Sequence, residues 1–404
     1  MSVQRRVVVT GLGPVSSIGT GVAAFGAALR AGRSGVSPIR SFDASGFPYR
    51  VGAEVTDFAP QRVLQRLPDA DWGRASQFAA VAARLAAEDA KLDLAGIEPT
   101  RAGAVIGTSN GESVVPQRLA QQHVSGGLPS LDPELIGTLP AYRLAHAVST
   151  ELGLEGESLT VGTACSASNY ALGYAYDVIA SGEADVMFAG GAEAQCRWMH
   201  AGFSRLGALS ETVCSPFDRD RPGVVIGEGG AVLVLESAEH AERRGARRYA
   251  DVLGYGLNCD ARHPVALDTD SVTDAMRIAL ANAGVTPSEV DYICAHGTGT
   301  PKNDASEAAA IFTVYGTDPP PVSSVKSMLG HTLGAAAGFG AIASVLAIDQ
   351  GFLPPTINWS HRDPAFASLD PVPNQSRPAR VRIAQNNSFA FGGNNAIVLF
   401  GAVT

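Results

Sequence analysis

Lysine is nearly absent. The chain of 404 residues holds Lys91, Lys302 and Lys326 and no other lysine, within a Lys plus Arg total of 30. Where arginine is the default cation, a retained lysine hints at a need for an ammonium. Positive charge is short as well. Against 39 acidic residues the net charge is −9, which weighs against a nucleic-acid binder. One basic patch, Arg243–Arg248, can dock an acidic partner, although a solvated turn after a helix is the plainer reading. The five cysteines are odd in number and lack metal-ligand spacing. That argues against a disulfide framework or a metal site and for free thiols in a reducing cytoplasm. Long apolar runs are missing too. Leu333–Ile348 holds three glycines and falls short of a membrane span. The apolar run behind Arg5 and Arg6 stops at Thr10-Gly11, too short for a secretory signal. The expectation is a packed cytoplasmic protein, as 46% hydrophobic and 17% charged residues fit.

What is present alternates between strand and helix. Short apolar strands are predicted at 5–13, 104–107, 158–162, 184–189, 231–235 and 396–400. Helical patterns cover 21–31, 75–92 and 168–181. The vocabulary then repeats. Ala95-Gly96-Ile97-Glu98-Pro99 precedes the strand from Ala104, and Ala283-Gly284-Val285-Thr286-Pro287 precedes that from Tyr292. The strand–turn–helix at 158–181 is echoed at 321–348. A duplicated α/β unit follows, with residues 112–145 as an insertion in the first copy.

Cys165 sits where a strand turns into a helix of small residues. A helix N-terminus lowers a thiol pKa and aims free N–H groups at it. A buried structural cysteine is the other reading. His296 opens HGTGTPKND, where glycines let backbone approach a ligand; Asp304 and Glu307 follow, near neighbours on a helix. His331, in SVKSMLGHTLGAAAG with Lys326, stands by the internal repeat near the place that Cys165 holds in the first copy. Near the C-terminus Phe389, Phe391, Gly392 and Gly393 precede the last strand. Taken alone this segment reads first as a hairpin turn between two strands; the other reading is a loop whose N–H groups stabilise an oxyanion at roughly 2.7–4 kcal/mol per donor.

Taken in order, RRVVVTGLG, GTACSAS, PFDRDRPG, HGTGTP, SVKSMLGH and NSFAFGGNNA resemble the elongating β-ketoacyl-[acyl-carrier-protein] synthases over nearly the whole chain. The resemblance implies a thiolase fold: two pseudo-symmetric βαβ halves, 1–243 and 244–404, layered α-β-α-β-α. It implies Cys165 as nucleophile, His296 and His331 as the paired histidines, and Lys326 beside the second. Asp304 and Glu307 would support the site. Phe391 would gate it, its N–H joining that of Cys165 in the oxyanion hole, with Gly392 and Gly393 in the same loop. Phe203 would line the acyl entrance. The implied reaction is condensation of an acyl-cysteine with a malonyl unit carried on the phosphopantetheine arm of an acyl carrier protein. No bound cofactor or metal is expected. The expected partners are the carrier protein and a second chain, either a copy or a ketosynthase-like chain-length factor, with the region before Cys165 near the interface; neither nucleic acid nor membrane is expected.

The chain departs from the family pattern twice. Gly340 stands where a glutamate is usual, leaving Lys326 without its carboxylate. Asn394 replaces the threonine of the usual Gly-Gly-Thr-Asn. Both point to a type II polyketide or specialised fatty-acid enzyme rather than a housekeeping one. The competing readings are a non-catalytic chain-length-factor-like partner, which would lack the cysteine, and a thiolase or coenzyme-A-dependent acyltransferase, which would use one histidine and a second cysteine.

Overall fold

The computed structural model describes residues 4–68 and 72–403. Along the main path of the central sheet, the strands of the first half are β1 (Val7–Ser16), β2 (Ala102–Gly107), β3 (Ser158–Val161), β4 (Val186–Glu193) and β5 (Gly229–Ser237). Those of the second are β6 (Ala250–Cys259), β7 (Tyr292–Cys294), β8 (Val322–Ser323), β9 (Ile383–Phe389) and β10 (Asn394–Gly401). Their spatial order is β8-β7-β9-β10-β6-β1-β5-β4-β2-β3. From either edge inward, each half runs third, second, fourth, fifth, first. In both, the second strand is parallel to its two neighbours and the remaining pairs are antiparallel. The halves join where Val7–Val9 of β1 pair antiparallel with Ala250–Val252 of β6.

Helices α1 (Arg74–Asp89), α2 (Arg143–Leu152), α3 (Ala167–Ala180), α4 (Thr269–Ala283), α5 (Pro301–Tyr315) and α6 (Ala336–Gln350) complete the layers. α3 touches β2 and β4 on one side and β6 and β10 on the other, so the two halves of the sheet lie on its opposite sides as two layers; α6 touches both halves likewise. α1 and α2 cover the first sheet outside, α4 lies on β6 and β10, and α5 packs on α4. The result is five layers, α-β-α-β-α. α3 keeps Tyr174 and Asp177 exposed, whereas α6 has no solvent face along most of its length and its sequence there is apolar all round. Ala336–Ala347 is buried at every position. The stretch Leu333–Gln350 is long and apolar enough to cross a membrane by length and composition, yet 83% of it is buried inside the protein.

Residues 112–145 hold helices at Val114–Gly126 and Pro133–Gly137 before α2 begins at Arg143. Their sequence lacks a period because little of it is buried; in Val114–Gly126 only Val115 is. The arginine patch is largely paired: Arg244 with Glu236, Arg247 with Asp349 and Arg248 with Glu242.

Candidate active site

Each half enters its central helix through one residue of left-handed backbone. Ala164 (φ 50°) begins the turn Ala164–Ser166 before α3, and Leu333 (φ 47°) begins Leu333–Ala335 before α6. Side chains with a Cβ rarely adopt this conformation, and such strain collects at functional sites. Cys165 follows the first elbow and Gly334 the second. Position for position, the counterpart of Cys165 is therefore Gly334, not His331, which lies three residues earlier in the loop leading to the elbow. Glycine is required there: a Cβ on Gly334 would lie 2.4 Å from the Cα of Thr108.

Cys165, His296 and His331 open into one cavity of about 690 Å³, together with Phe203, Phe389 and Phe391. Lys326, Asp304, Glu307, Gly392 and Gly393 are not among its lining residues. The two imidazoles meet edge to face with centroids 5.4 Å apart, and Phe389 meets the His296 ring at 5.5 Å. The Leu333 N–H donates to Nδ1 of His331 at 3.2 Å, so the neutral ring carries its proton on Nε2. Burial pushes both imidazoles well below 6.5, and the nearby Lys326 ammonium pushes them further. Both are neutral at physiological pH.

Glu307 holds the loop that presents His296. Its two oxygens accept the N–H groups of His296 (2.9 Å) and Gly297 (2.7 Å), and the Asn387 amide donates at 3.0 Å. Asp304 accepts the Gly299 N–H at 3.2 Å and the Phe217 N–H at 2.8 Å, tying this loop to the PFDRDRPG segment. Both acids are buried, and burial raises Glu307 to about 6. Lys326 is buried too, which lowers its pKa, while Cys294, Glu307, Cys165 and Cys214 raise it. At Gly340, a Cβ would lie 2.3 Å from Oδ1 of Asn386 and 3.3 Å from Sγ of Cys294. The Asn386 amide fills this space, donating to Asn169 at 2.9 Å and to the Ala337 carbonyl at 2.8 Å.

Two expectations are corrected. The Cys165 thiol is pushed up to about 12 by burial. Lys326 and the N–H groups of Cys165 and Phe391 pull it down, but desolvation outweighs them. The paired glycines do not aim their N–H groups at a ligand. Gly392 (φ 83°) donates to the Pro264 carbonyl at 2.9 Å and Gly393 (φ 80°) to that of Ala390 at 3.1 Å. Their left-handed backbone shapes the loop and leaves the Phe391 N–H directed at the sulfur. Phe391 stacks on Phe203, centroids 5.8 Å apart. Asn394 accepts from the Tyr170 hydroxyl at 3.3 Å.

Sequence reasoning missed Glu193. It is fully buried at the end of β4 and close enough to raise the Cys165 thiol. The only available signal was a lone acid closing an apolar strand, AGGAEA.

Residues 4–241 match the model of the beta-ketoacyl synthase N-terminal domain and residues 249–360 that of its C-terminal domain. The chain belongs to the β-ketoacyl synthase family. It is 39% identical to the 3-oxoacyl-[acyl-carrier-protein] synthase 2 of Coxiella burnetii, covering 99% of both chains. Among solved structures, the ishigamide ketosynthase/chain length factor superposes with a TM-score of 0.97 at 50% identity, over 99% of this chain and 100% of that one. A ketosynthase solved with its type II polyketide synthase acyl-carrier protein and bound to a hexaketide superposes at 0.91 with 34% identity, over 99% and 100%. The five layers are those of the thiolase fold that these ketosynthases share.

Proposed function

We propose that this protein is a β-ketoacyl-[acyl-carrier-protein] synthase, an acyltransferase that joins an acyl-cysteine to malonyl carrier protein by decarboxylative Claisen condensation. The observation that carries this reading is the meeting of Cys165, His296 and His331 at one cavity, with the N–H groups of Cys165 and Phe391 aimed at the sulfur. The halves at 1–243 and 244–404 each contribute part: the first brings the thiol, the second both imidazoles and the Phe391 loop.

In the first step Cys165 sulfur attacks the carrier thioester. Its proton passes to the departing carrier thiolate, which leaves as the carrier thiol. Holding the acyl group covalently splits one hard step into two. The malonyl thioester then enters. His331 donates Nε2–H to its carbonyl oxygen and His296 faces the same space. As carbon dioxide leaves, the bonding pair becomes an enolate that both rings stabilise, and neutral rings suit this because they donate without competing as fixed charges. The enolate carbon attacks the Cys165 thioester. The N–H groups of Cys165 and Phe391 hold the oxyanion, and collapse expels the Cys165 thiolate. Every bond made or broken is accounted for by thiol, carboxylate and thioester, with no bound cofactor; the phosphopantetheine arm of the carrier delivers both substrates. Lys326, Asp304 and Glu307 act behind these groups, Lys326 by its charge and the two acids by holding the His296 loop. Phe203 and Phe391 form the apolar entrance.

The likeness to a ketosynthase solved with its carrier protein supports the carrier as partner. The ketosynthase/chain length factor neighbour supports a second chain, a copy or a chain-length factor. A type II polyketide or specialised fatty-acid pathway in the cytoplasm is the setting we infer.

The test is incubation of the full chain with malonyl-loaded carrier protein and a panel of acyl donors, read by intact-protein mass. Wild type is expected to gain an acyl adduct on Cys165 and to release β-ketoacyl carrier protein. Cys165→Ala is expected to lose both, and His296→Ala to lose carbon dioxide release. Elongation by Cys165→Ala at the normal rate would remove Cys165 from the mechanism.

A further inference from the structure

The two elbows are built alike but finished differently. At the first, the N–H groups of Cys165 and Phe391 face the sulfur. At the second, the N–H of Gly334 donates to Glu193 at 3.1 Å. The same carboxylate accepts the N–H groups of Ser109 (2.7 Å) and Asn110 (3.1 Å) and the Thr108 hydroxyl (3.3 Å). A side chain thus occupies, in the second half, the place that the first half leaves open for an oxyanion.

The bonds lead onward in two directions. Through Leu333, the second elbow donates to Nδ1 of His331 and sets which nitrogen keeps the proton. Through the Gly334 carbonyl, it accepts the Ser168 hydroxyl on the first turn of α3, three residues after Cys165. Glu193 has no surface exposure, and the backbone of Gly334 lies so close to Thr108 and Ser109 that an added Cβ would fall 2.4 Å from the Cα of Thr108 and 2.5 Å from the nitrogen of Ser109. Buried acids are held by such donors because an unpaired one costs more than the bonds return.

We propose that Glu193 is a positioning residue of the condensing site: its carboxylate closes the second elbow and thereby fixes both His331 and the Cys165 end of α3. This rests on the ketosynthase reading for the role of His331, but not for the fate of the thiol. Burial raises Glu193 to about 7, and its charge acts on Cys165 and Cys196. Around the sulfur, Lys326 acts in the opposite sense and His296 and His331 are neutral.

Glu193→Gln keeps the size of the side chain and one acceptor oxygen but replaces the other with an NH2 group, which donates but accepts nothing, so it faces the donors at that oxygen unpaired. In the full chain, kcat for malonyl decarboxylation is expected to fall about tenfold or more with KM within about threefold, the signature of lost positioning. The midpoint for iodoacetamide alkylation of Cys165 is expected to move down by roughly half a pH unit or more, since a negative neighbour has gone. Unchanged kcat, or reduced kcat with an unmoved midpoint, overturns the proposal; the second result marks a merely structural acid. Ser168→Ala keeps Glu193 and cuts only the link to α3. It is expected to lower kcat and leave the midpoint in place, and it serves if Glu193→Gln does not fold. If wild type releases no carbon dioxide, the ketosynthase reading fails, while the alkylation midpoints still decide whether Glu193 acts on the thiol.

Discussion

At the scale of single residues, the site is a balance between burial and one cation. Lys326 is the strongest charge pulling the Cys165 thiol down and the strongest pushing both imidazoles down. Its removal therefore has two signed consequences. Lys326→Met is expected to raise the alkylation midpoint of Cys165 and to raise the titration points of His296 and His331 toward 6.5. A rise of about one pH unit slows alkylation about tenfold at any pH below the midpoint. Mass-resolved iodoacetamide labelling across pH checks the thiol, and proton NMR of the imidazoles checks the rings. A midpoint that falls or stays would show that Lys326 does not act on the sulfur. Gly340 belongs to the same neighbourhood. Restoring the glutamate usual in the family, as Gly340→Glu, drives a side chain into Asn386 Oδ1 and Cys294 Sγ. Overpacking of this kind costs about 1–3 kcal/mol. Asn386→Ser makes room, so the double variant is expected to be more stable than the sum of the singles by about 0.5 kcal/mol or more. Denaturant unfolding of the four proteins measures it, and strict additivity would mean that the two positions do not share the space.

At the scale of elements, periodicity and turn chemistry carried most of the fold. The helix expected over 168–181 runs Ala167–Ala180, and the last strand, expected over 396–400, runs Asn394–Gly401. These are legible because α3 and α6 lie between sheets and β10 lies inside one, so composition follows burial. The duplication was legible from matched Gly and Pro positions, but its register was not. His331 drew attention as the chemical group, whereas the structural match to Cys165 is Gly334, which has no side chain to announce itself. Two further misreadings share a cause. A helix N-terminus lowers a thiol pKa in the open, yet the sequence does not say that Cys165 is buried, and burial wins. A Gly-Gly pair signals left-handed backbone, yet not where its N–H groups point; here they go to Pro264 and Ala390. Glu193 escaped because its partners come from loops 84 and 141 residues away in sequence. Cys165, His296 and His331 were legible through their motifs rather than their spacing, since 131 and 35 residues separate them.

At the scale of the whole molecule, the insertion and the outer edge of the first sheet are unfinished. Val124 is 87% exposed, Leu128 72% and Tyr142 65%, with Ile136 and Leu139 exposed beside them in sequence. β3 is the terminal strand of the sheet, and its residues are exposed or half-buried. An uncovered strand edge invites pairing with another chain, and a patch of large apolar side chains marks an interface. On the proposal of a second chain, these exposed side chains and the β3 edge, which leads into Cys165, are where it is expected to dock. Leu128 and Val124 belong to surface helix and turn rather than to the core, so charging them should leave the fold intact. Light scattering on the purified wild type is expected to give twice the mass of one chain, and Val124→Asp with Leu128→Asp the mass of one, with unchanged circular dichroism. A doubled mass that survives both substitutions would move the interface to another face. Exposing the β3 edge would also loosen the strand just before the elbow, so the single-chain form is expected to alkylate Cys165 faster than the assembly at the same pH, with equal rates ruling out coupling between the interface and the elbow.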